Sequence, residues 1–234
     1  MSSKIDIITV GYANPMEEED ANHKLNGNKF MKATGSCCLV RSNGCIVLFD
    51  TMGPWERDLL VERLQSLTIH PDDISYLVCS HSHPDHIGNL NLFTKATRHY
   101  IGTSVYSQDK YDLNCFEPIG SYNYTTLRNV ECVVPQYQHV HLDKNLSIHP
   151  TPGHTMECIS MVVSNCDKFG TVALVGDLFE REEDVNNEGI WLEAGSQNAD
   201  LQRANRSDIY NKVDFILPGH GPLFKTERDS HKKF

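Results

Sequence analysis

The 234-residue sequence predicts an α/β fold, on three observations. Short apolar, β-branched runs recur along the chain in two batches. Stretches of helical length accompany each batch. Several of the strand-like runs end beside residues that bind metals, so the elements present a common chemistry at their ends.

Taken in order, residues 5–10 open as a strand, and residues 14–29 are polar and read as a surface loop that includes His23. Residues 37–49 form the clearest local unit, two β-rich runs joined by Asn43-Gly44, the preferred pair for a type I′ hairpin turn. The second run delivers Asp50. Residues 54–68 read as a helix with Pro54 in its first turn and Trp55, Leu59, Leu60, Leu64 and Leu67 on one face. Residues 71–74 turn into an apolar strand at 75–79, and residues 86–93 read as a short helix. Strands follow at 98–101 and within 104–112. Residues 114–145 carry Tyr122, Tyr124 and Tyr137 with His139 and His141, and their alternation with valine favours a half-buried strand over a stacking platform. The second batch is 146–150, 158–163, 171–175 and 214–217, with a helix at 200–213.

Between the strand at 75–79 and the helix after it lies Ser-His-Ser-His-Pro-Asp-His-Ile-Gly, residues 80–88. His81, His83, Asp85 and His86 fall within six positions, and neutral imidazole with carboxylate is the ligand set for zinc, iron or manganese. Polar loops collect histidine by chance, but four such residues in six, straight after an apolar strand, are too dense for that. One loop cannot close a metal site, so further donors must come from other strand ends. His154 in Thr-Pro-Gly-His-Thr, Asp177 in Leu-Val-Gly-Asp and His220 in Leu-Pro-Gly-His-Gly repeat one grammar, an apolar run, then Gly, then a donor. His139 and His141 lack that context.

Composition narrows the classes. The length is ample for a core, and donors spread from 81 to 220 must converge, which predicts a single domain over 1–234. No run of eighteen apolar residues predicts a membrane span, and the start lacks the apolar core of a secretory signal. The eight cysteines have no zinc-finger spacing and two are adjacent, so reduced, mostly buried thiols and an intracellular, cytoplasmic protein are expected. The net charge is −10, and residues 178–200 hold seven acids against one base, Arg181. An acidic chain is a poor non-specific binder of nucleic acid, although bound metal ions add local positive charge. Because that acidic segment starts directly after Asp177, Arg181 and Trp191 are expected on a loop near the mouth of the site, Arg181 as a contact for a substrate phosphate or as an internal ion pair.

The His-x-His-x-Asp-His loop followed by His154, Asp177 and His220 resembles the metallo-β-lactamase superfamily across nearly the whole chain. That resemblance implies a four-layer αββα sandwich with metals at one edge. It implies two zinc ions, with iron or manganese as alternatives: His81, His83 and His154 hold one, Asp85, His86 and His220 the other, and Asp177 bridges them. It further implies that Asp50 orients a histidine of the first set from behind. Catalysis would rest on Asp85 and Asp177, with a shared, acidified water as nucleophile and no serine or cysteine required. Asp50-Thr-Met-Gly-Pro-Trp-Glu-Arg, Ile87-Gly-Asn-Leu and Phe179-Glu-Arg resemble a small eukaryotic branch of the superfamily. That branch implies a zinc-dependent endoribonuclease acting on histone pre-mRNA, a homodimer, found in cytoplasm and nucleus. Two other chemistries fit the donors. One is hydrolysis of a small thioester, lactone or lactam in the manner of glyoxalase II. The other is a mononuclear iron persulfide dioxygenase using His81, His154 and Asp177.

Overall fold

The computed structural model describes residues 1–16, 30–117, 119 and 137–227. Its strands are β1 (Lys4–Thr9), β2 (Tyr12–Pro15), β3 (Met31–Thr34), β4 (Cys37–Ser42), β5 (Cys45–Phe49), β6 (Tyr76–Cys79), β7 (Arg98–Ile101), β8 (Ser104–Ser107), β9 (Lys110–Asp112), β10 (Val140–His141), β11 (Leu146–Pro150), β12 (Ile159–Cys166), β13 (Gly170–Gly176), β14 (Phe215–Pro218) and β15 (Phe224–Lys225). Its α-helices are α1 (Arg57–Ser66), α2 (Pro84–Ile87), α3 (Glu188–Glu193) and α4 (Ala199–Lys212). One sheet runs β1-β4-β5-β6-β7-β8-β9 and a second runs β10-β11-β12-β13-β14-β15, while β2 and β3 pair apart.

Period-two alternation builds the layers. On β5, Val47 and Phe49 point into the core between the sheets, and Leu48 points the other way, to Leu60 and Leu64 of α1. On β13, Val172 and Leu174 enter the same inter-sheet core, whereas Ala173 and Val175 meet Ile209 and Tyr210 of α4. The order is therefore helix, sheet, sheet, helix, the four-layer sandwich expected. Each fully buried Leu or Val contributes about 1.5–3 kcal/mol of transfer free energy, so both faces of each sheet must be covered.

Strand direction places the site. β5, β6 and β7 are parallel, as are β13 and β14, and β11 runs antiparallel to β12, which is antiparallel to β13. The C-terminal ends of β5, β6, β11, β13 and β14 consequently gather at one edge. Backbone bonds stitch that edge between sheets, Ile159 N–H to Ser80 C=O at 2.9 Å and Ser36 N–H to Gly219 C=O at 2.7 Å.

Several local expectations change in detail. Asn43 and Gly44 take φ of 46° and 88°, the paired positive values of the I′ turn. The helix at 54–68 begins as a 3-10 turn over Pro54–Glu56, whose tighter winding takes Trp55 off the apolar stripe to 80% exposure, and Leu59 is also exposed. The helix read at 86–93 is two pieces, α2 from Pro84 and a 3-10 turn at Leu90–Leu92. Asn89 parts them, because its side-chain amide donates to the carbonyls of Thr51 (2.8 Å) and Gly53 (2.9 Å). The loop at 14–29 starts inside β2, and its remainder with His23 lies outside the described residues, as do Tyr122 and Tyr124. Among the described residues all seven cysteines are free, five of them buried, and no helix is long and apolar enough to cross a membrane.

Candidate metal centre

The donors are delivered by strand ends of both sheets. β6 leads into His81 and His83, and Pro84 occupies the first position of α2, which carries Asp85 and His86. From the second sheet, β11 leads to His154, β13 to Asp177 and β14 to His220. The glycine before His220 is dictated by crowding, since a Cβ on Gly219 would stand 2.1 Å from Asp177 Oδ1.

All seven sequence-predicted donors come together. One group is His81, His83, His154 and Asp177, and another is Asp85, His86 and His220, the donor atoms of each lying within 4.8 Å of one another. Asp177 faces both. Its Oδ2 is 3.5 Å from His81 Nε2 and 3.4 Å from His154 Nε2, and His154 Nε2 is 3.2 Å from His83 Nδ1. Its Oδ1 is 3.1 Å from His86 Nε2 and 3.3 Å from His220 Nε2. Asp85 Oδ2 lies 3.7 Å from His86 Nε2 and 3.6 Å from His220 Nε2. Donors around a tetrahedral ion with bonds near 2.1 Å are about 3.4 Å apart, which the first group matches. The buried Nε2 atoms of His81 and His86 and Oδ1 of Asp177 have no hydrogen-bond partner of proper geometry. Buried polar atoms left unpaired are costly, and a cation between them accounts for all three. The residues therefore fit a pair of divalent ions.

Neighbours fix the donors' orientation. His86 Nδ1 lies 2.7 Å from Asp50 Oδ2, and Asp50 also accepts the Ser80 backbone N–H (2.7 Å) and hydroxyl (3.0 Å). This corrects the expected partner of Asp50, which supports His86 of the second group and reaches His81 only through Ser80, 3.0 Å from His81 Nδ1. The reason is register: Asp50 ends β5 beside β6, and the turn of α2 folds His86 back over it. His220 Nδ1 donates to the carbonyls of Tyr12 (3.1 Å) and Thr34 (3.0 Å), so the β2–β3 pair holds that ring. With Nδ1 engaged, Nε2 is the free donor of His86 and His220. On α4, Gln202 Nε2 donates to Asp177 C=O (3.0 Å) and Asn205 Nδ2 to Pro152 C=O (2.7 Å), tethering two donor loops. Asp50→Ala is expected to cost about 10–100-fold in metal affinity or activity through lost orientation of His86. Chelator competition on the purified variant measures this, and unchanged affinity and rate would remove Asp50 from the centre.

Electrostatics follow the same division. Burial, then the neighbouring His86, holds His81 well below the ordinary imidazole range, and burial lowers His154. Burial opposes charge on His86 too, but Asp177 and Asp50 outweigh it and raise that ring. Burial likewise resists ionisation of Asp177, yet His86, His220 and His81 hold its carboxyl well below the usual range. The centre is thus biased towards one carboxylate shared by rings on both sides.

Arg181 and Trp191 part company. Arg181 stays at the metal edge with its Cα and Cβ against Gly221, its guanidinium 4.0 Å from Glu183 and 41% exposed. Trp191 is only 1% exposed, its ring 5.1 Å from the Arg206 guanidinium, so it lies beneath the surface and not at the mouth. The 3-10 turn Glu182–Val185 takes the chain away from the edge. Sequence reasoning passed over Glu180, which lies with Asp177 and His220 in a third donor group. Its signal was the Phe179-Glu-Arg string itself, but a glutamate in an acidic run carries no local mark of burial. His139 stacks near His149 with ring centroids 3.8 Å apart, and neither belongs to these groups.

This fold, with imidazole and carboxylate donors at the strand ends, defines a class. The sequence profile of the metallo-beta-lactamase superfamily matches residues 33–220, and the chain belongs to that superfamily, whose members are generally metal-dependent hydrolases. Within it, the chain is 35% identical over 199 residues to metallo-beta-lactamase domain-containing protein 1 of Xenopus laevis, covering 85% of this chain and 76% of that one. The human protein of that name is 32% identical over 184 residues, covering 79% of this chain and 61% of its own length, so the chain spans less than two thirds of it. The solved structure of Bacillus thuringiensis AiiA with N-decanoyl-L-homoserine bound at its active site matches with a TM-score of 0.63 at 19% identity, over 94% of each chain. At that identity the match shows the fold alone.

Proposed function

We propose that the chain is a two-metal hydrolase that cleaves phosphodiester bonds of single-stranded RNA, histone pre-mRNA being the substrate the eukaryotic resemblance implies. The observation that carries the two-metal part is Asp177, whose two oxygens are divided between two donor groups. A mononuclear iron site on His81, His154 and Asp177 would leave Asp85, His86 and His220 gathered for no purpose. Two divalent ions held there, zinc or with iron or manganese in its place, would acidify a shared water and offset charge on the attacked group. Asp177 holds the two groups in one frame. Asp85, with part of its side chain open to solvent, is the carboxylate placed to orient the attacking water and accept its proton. Arg181, half exposed at the same edge, is the cation available to a substrate phosphate.

The similarity to metallo-beta-lactamase domain-containing protein 1 supports the eukaryotic branch that the sequence resembles, RNA cleavage is what that resemblance implies, and two metals suit displacement at phosphorus by clamping both entering and leaving oxygens. The net charge of −10 predicts weak sequence-independent RNA affinity, with recognition resting on metal contacts or a partner. A single domain, a homodimer and a cytoplasmic and nuclear location are part of the same proposal. A second reading, hydrolysis of a small lactone, thioester or lactam, is favoured by the acyl-homoserine held in the AiiA active site. Zinc-loaded protein incubated with labelled single-stranded RNA, beside an Asp85→Ala, His86→Ala double variant, decides between them. Cleavage lost in the variant is expected. Cleavage that persists there is contaminating nuclease, and no cleavage alongside robust thioester or lactone turnover selects the second reading.

A further inference from the structure

Glu180 stands at the centre with no role in either donor group. It follows Asp177 by three residues, is only 5% exposed, and its Oε1 has no hydrogen-bond partner. Two backbone bonds lock its position: its N–H donates to Asp184 Oδ2 at 2.7 Å and its C=O accepts the His220 N–H at 2.8 Å. The side chain then projects inward, with Oε2 3.9 Å from His220 Nε2. Burying a carboxylate oxygen without a hydrogen-bond partner is unfavourable. Its Oε2 faces the His220 ring, and the buried guanidinium of Arg206 is engaged with Asp184.

We propose, on the two-metal reading above, that Glu180 is an additional donor to the second ion, beside Asp85, His86, His220 and Asp177, and that the two positions differ in metal preference. The spacings support it. Two donors bonded to one ion at about 2.0–2.2 Å can be at most about 4.4 Å apart, and a tetrahedron holds them near 3.4 Å. The first group keeps to 3.2, 3.4 and 3.5 Å. In the second, Asp177 Oδ1, Asp85 Oδ2 and Glu180 Oε2 stand 3.3, 3.6 and 3.9 Å from His220 Nε2, all within the span one ion allows, and Glu180 groups with Asp177 and His220. Chemistry agrees with geometry. The first position offers three imidazoles and one shared carboxylate, a set suited to zinc. The second offers two imidazoles and three carboxylates, an oxygen-rich set that favours a harder ion such as manganese or ferrous iron.

The test uses the full chain, wild type and Glu180→Gln, stripped with chelator and titrated calorimetrically with Zn2+ and separately with Mn2+. Wild type should take two ions. Glu180→Gln should leave the tighter ion unchanged and weaken the other by roughly 10–100-fold, with the larger loss for manganese. Thermal midpoints give a second readout. Without metal the Gln variant should match or exceed wild type, because the amide keeps the shape of the side chain and removes an ionisable group from a buried position, and with saturating metal it should fall below wild type. Two ions bound with wild-type affinities by the Gln variant would overturn the role of Glu180 and leave the two-metal reading standing. Equal weakening of both ions with a lowered metal-free midpoint would also overturn it, marking Glu180 as a structural residue. A wild type that binds fewer than two ions under either titration defeats the two-metal reading and this inference with it.

Discussion

Asp177→Asn is expected to abolish turnover and remove at least one bound ion while leaving the sandwich folded. The carboxylate faces four imidazoles, His81 and His154 through Oδ2, His86 and His220 through Oδ1. An amide keeps the shape but turns one oxygen into an NH2 donor and carries no charge, so one side of the pair must lose its ligand. The loss should exceed the roughly 10–100-fold that follows removal of a residue acting behind a ligand. The backbone is spared, because Asp177 C=O is held by Gln202 irrespective of the side chain. Metal content per chain, rate and circular dichroism of the purified variant provide the check. Two retained ions and a near-normal rate would show that Asp177 does not bridge.

Arg206→Met should be the most destabilising single change away from the donors. Arg206 and Asp184 form a buried pair, Nη2 to Oδ1 at 2.7 Å and Nη1 to Oδ2 at 3.2 Å. The same guanidinium donates to the carbonyls of Leu178 (2.7 Å) and Asp184 (3.0 Å) and lies 3.9 Å from the centre of the Phe179 ring. Methionine fills much of the volume but leaves Asp184 charged, buried and unpaired, a loss of about 3–5 kcal/mol. Because Arg206 grips the segment between Asp177 and Asp184, metal affinity should fall with stability. Urea unfolding of the metal-free protein measures the first effect, and a cost under about 1 kcal/mol would mean that water replaces the guanidinium easily.

What could be read in the sequence was what local grammar encodes. His81, His83, Asp85 and His86 are dense in one loop, and His154, Asp177 and His220 share a strand-Gly-donor context, so their convergence was legible without a structure. The strand at 45–49 was legible as a β-rich apolar run, but with no polar residue in it the sequence does not say that Val47 and Phe49 face the inter-sheet core and Leu48 the helix. What escaped reading depends on which side of a turn faces inward. Glu180 and Asp184 are buried while Glu182 and Glu183 are not, within one acidic run of no periodicity. Trp191 is near Asp177 in sequence, but the chain turns away before reaching it. Gln202, Asn205 and Arg206 look like the solvated face of a helix, yet they form its inner face, because α4 packs on the polar backbone of two donor loops as well as on apolar strands. Asp50 could be seen to end a strand, but its choice of His86 over His81 is made by the fold of α2.

The division of donors between the sheets gives the centre a mechanical meaning. His81, His83, Asp85 and His86 hang from one sheet, and His154, Asp177 and His220 from the other. At this edge the oily filling of the sandwich gives way to imidazole and carboxylate, whose free donor atoms an ion would draw together. A bound ion then acts as a rivet through both plates, joining points as remote along the chain as 81 and 220. Without ions this edge would be held by its inter-sheet backbone bonds and carboxylate–imidazole contacts alone, so it is the edge expected to loosen when metal is removed.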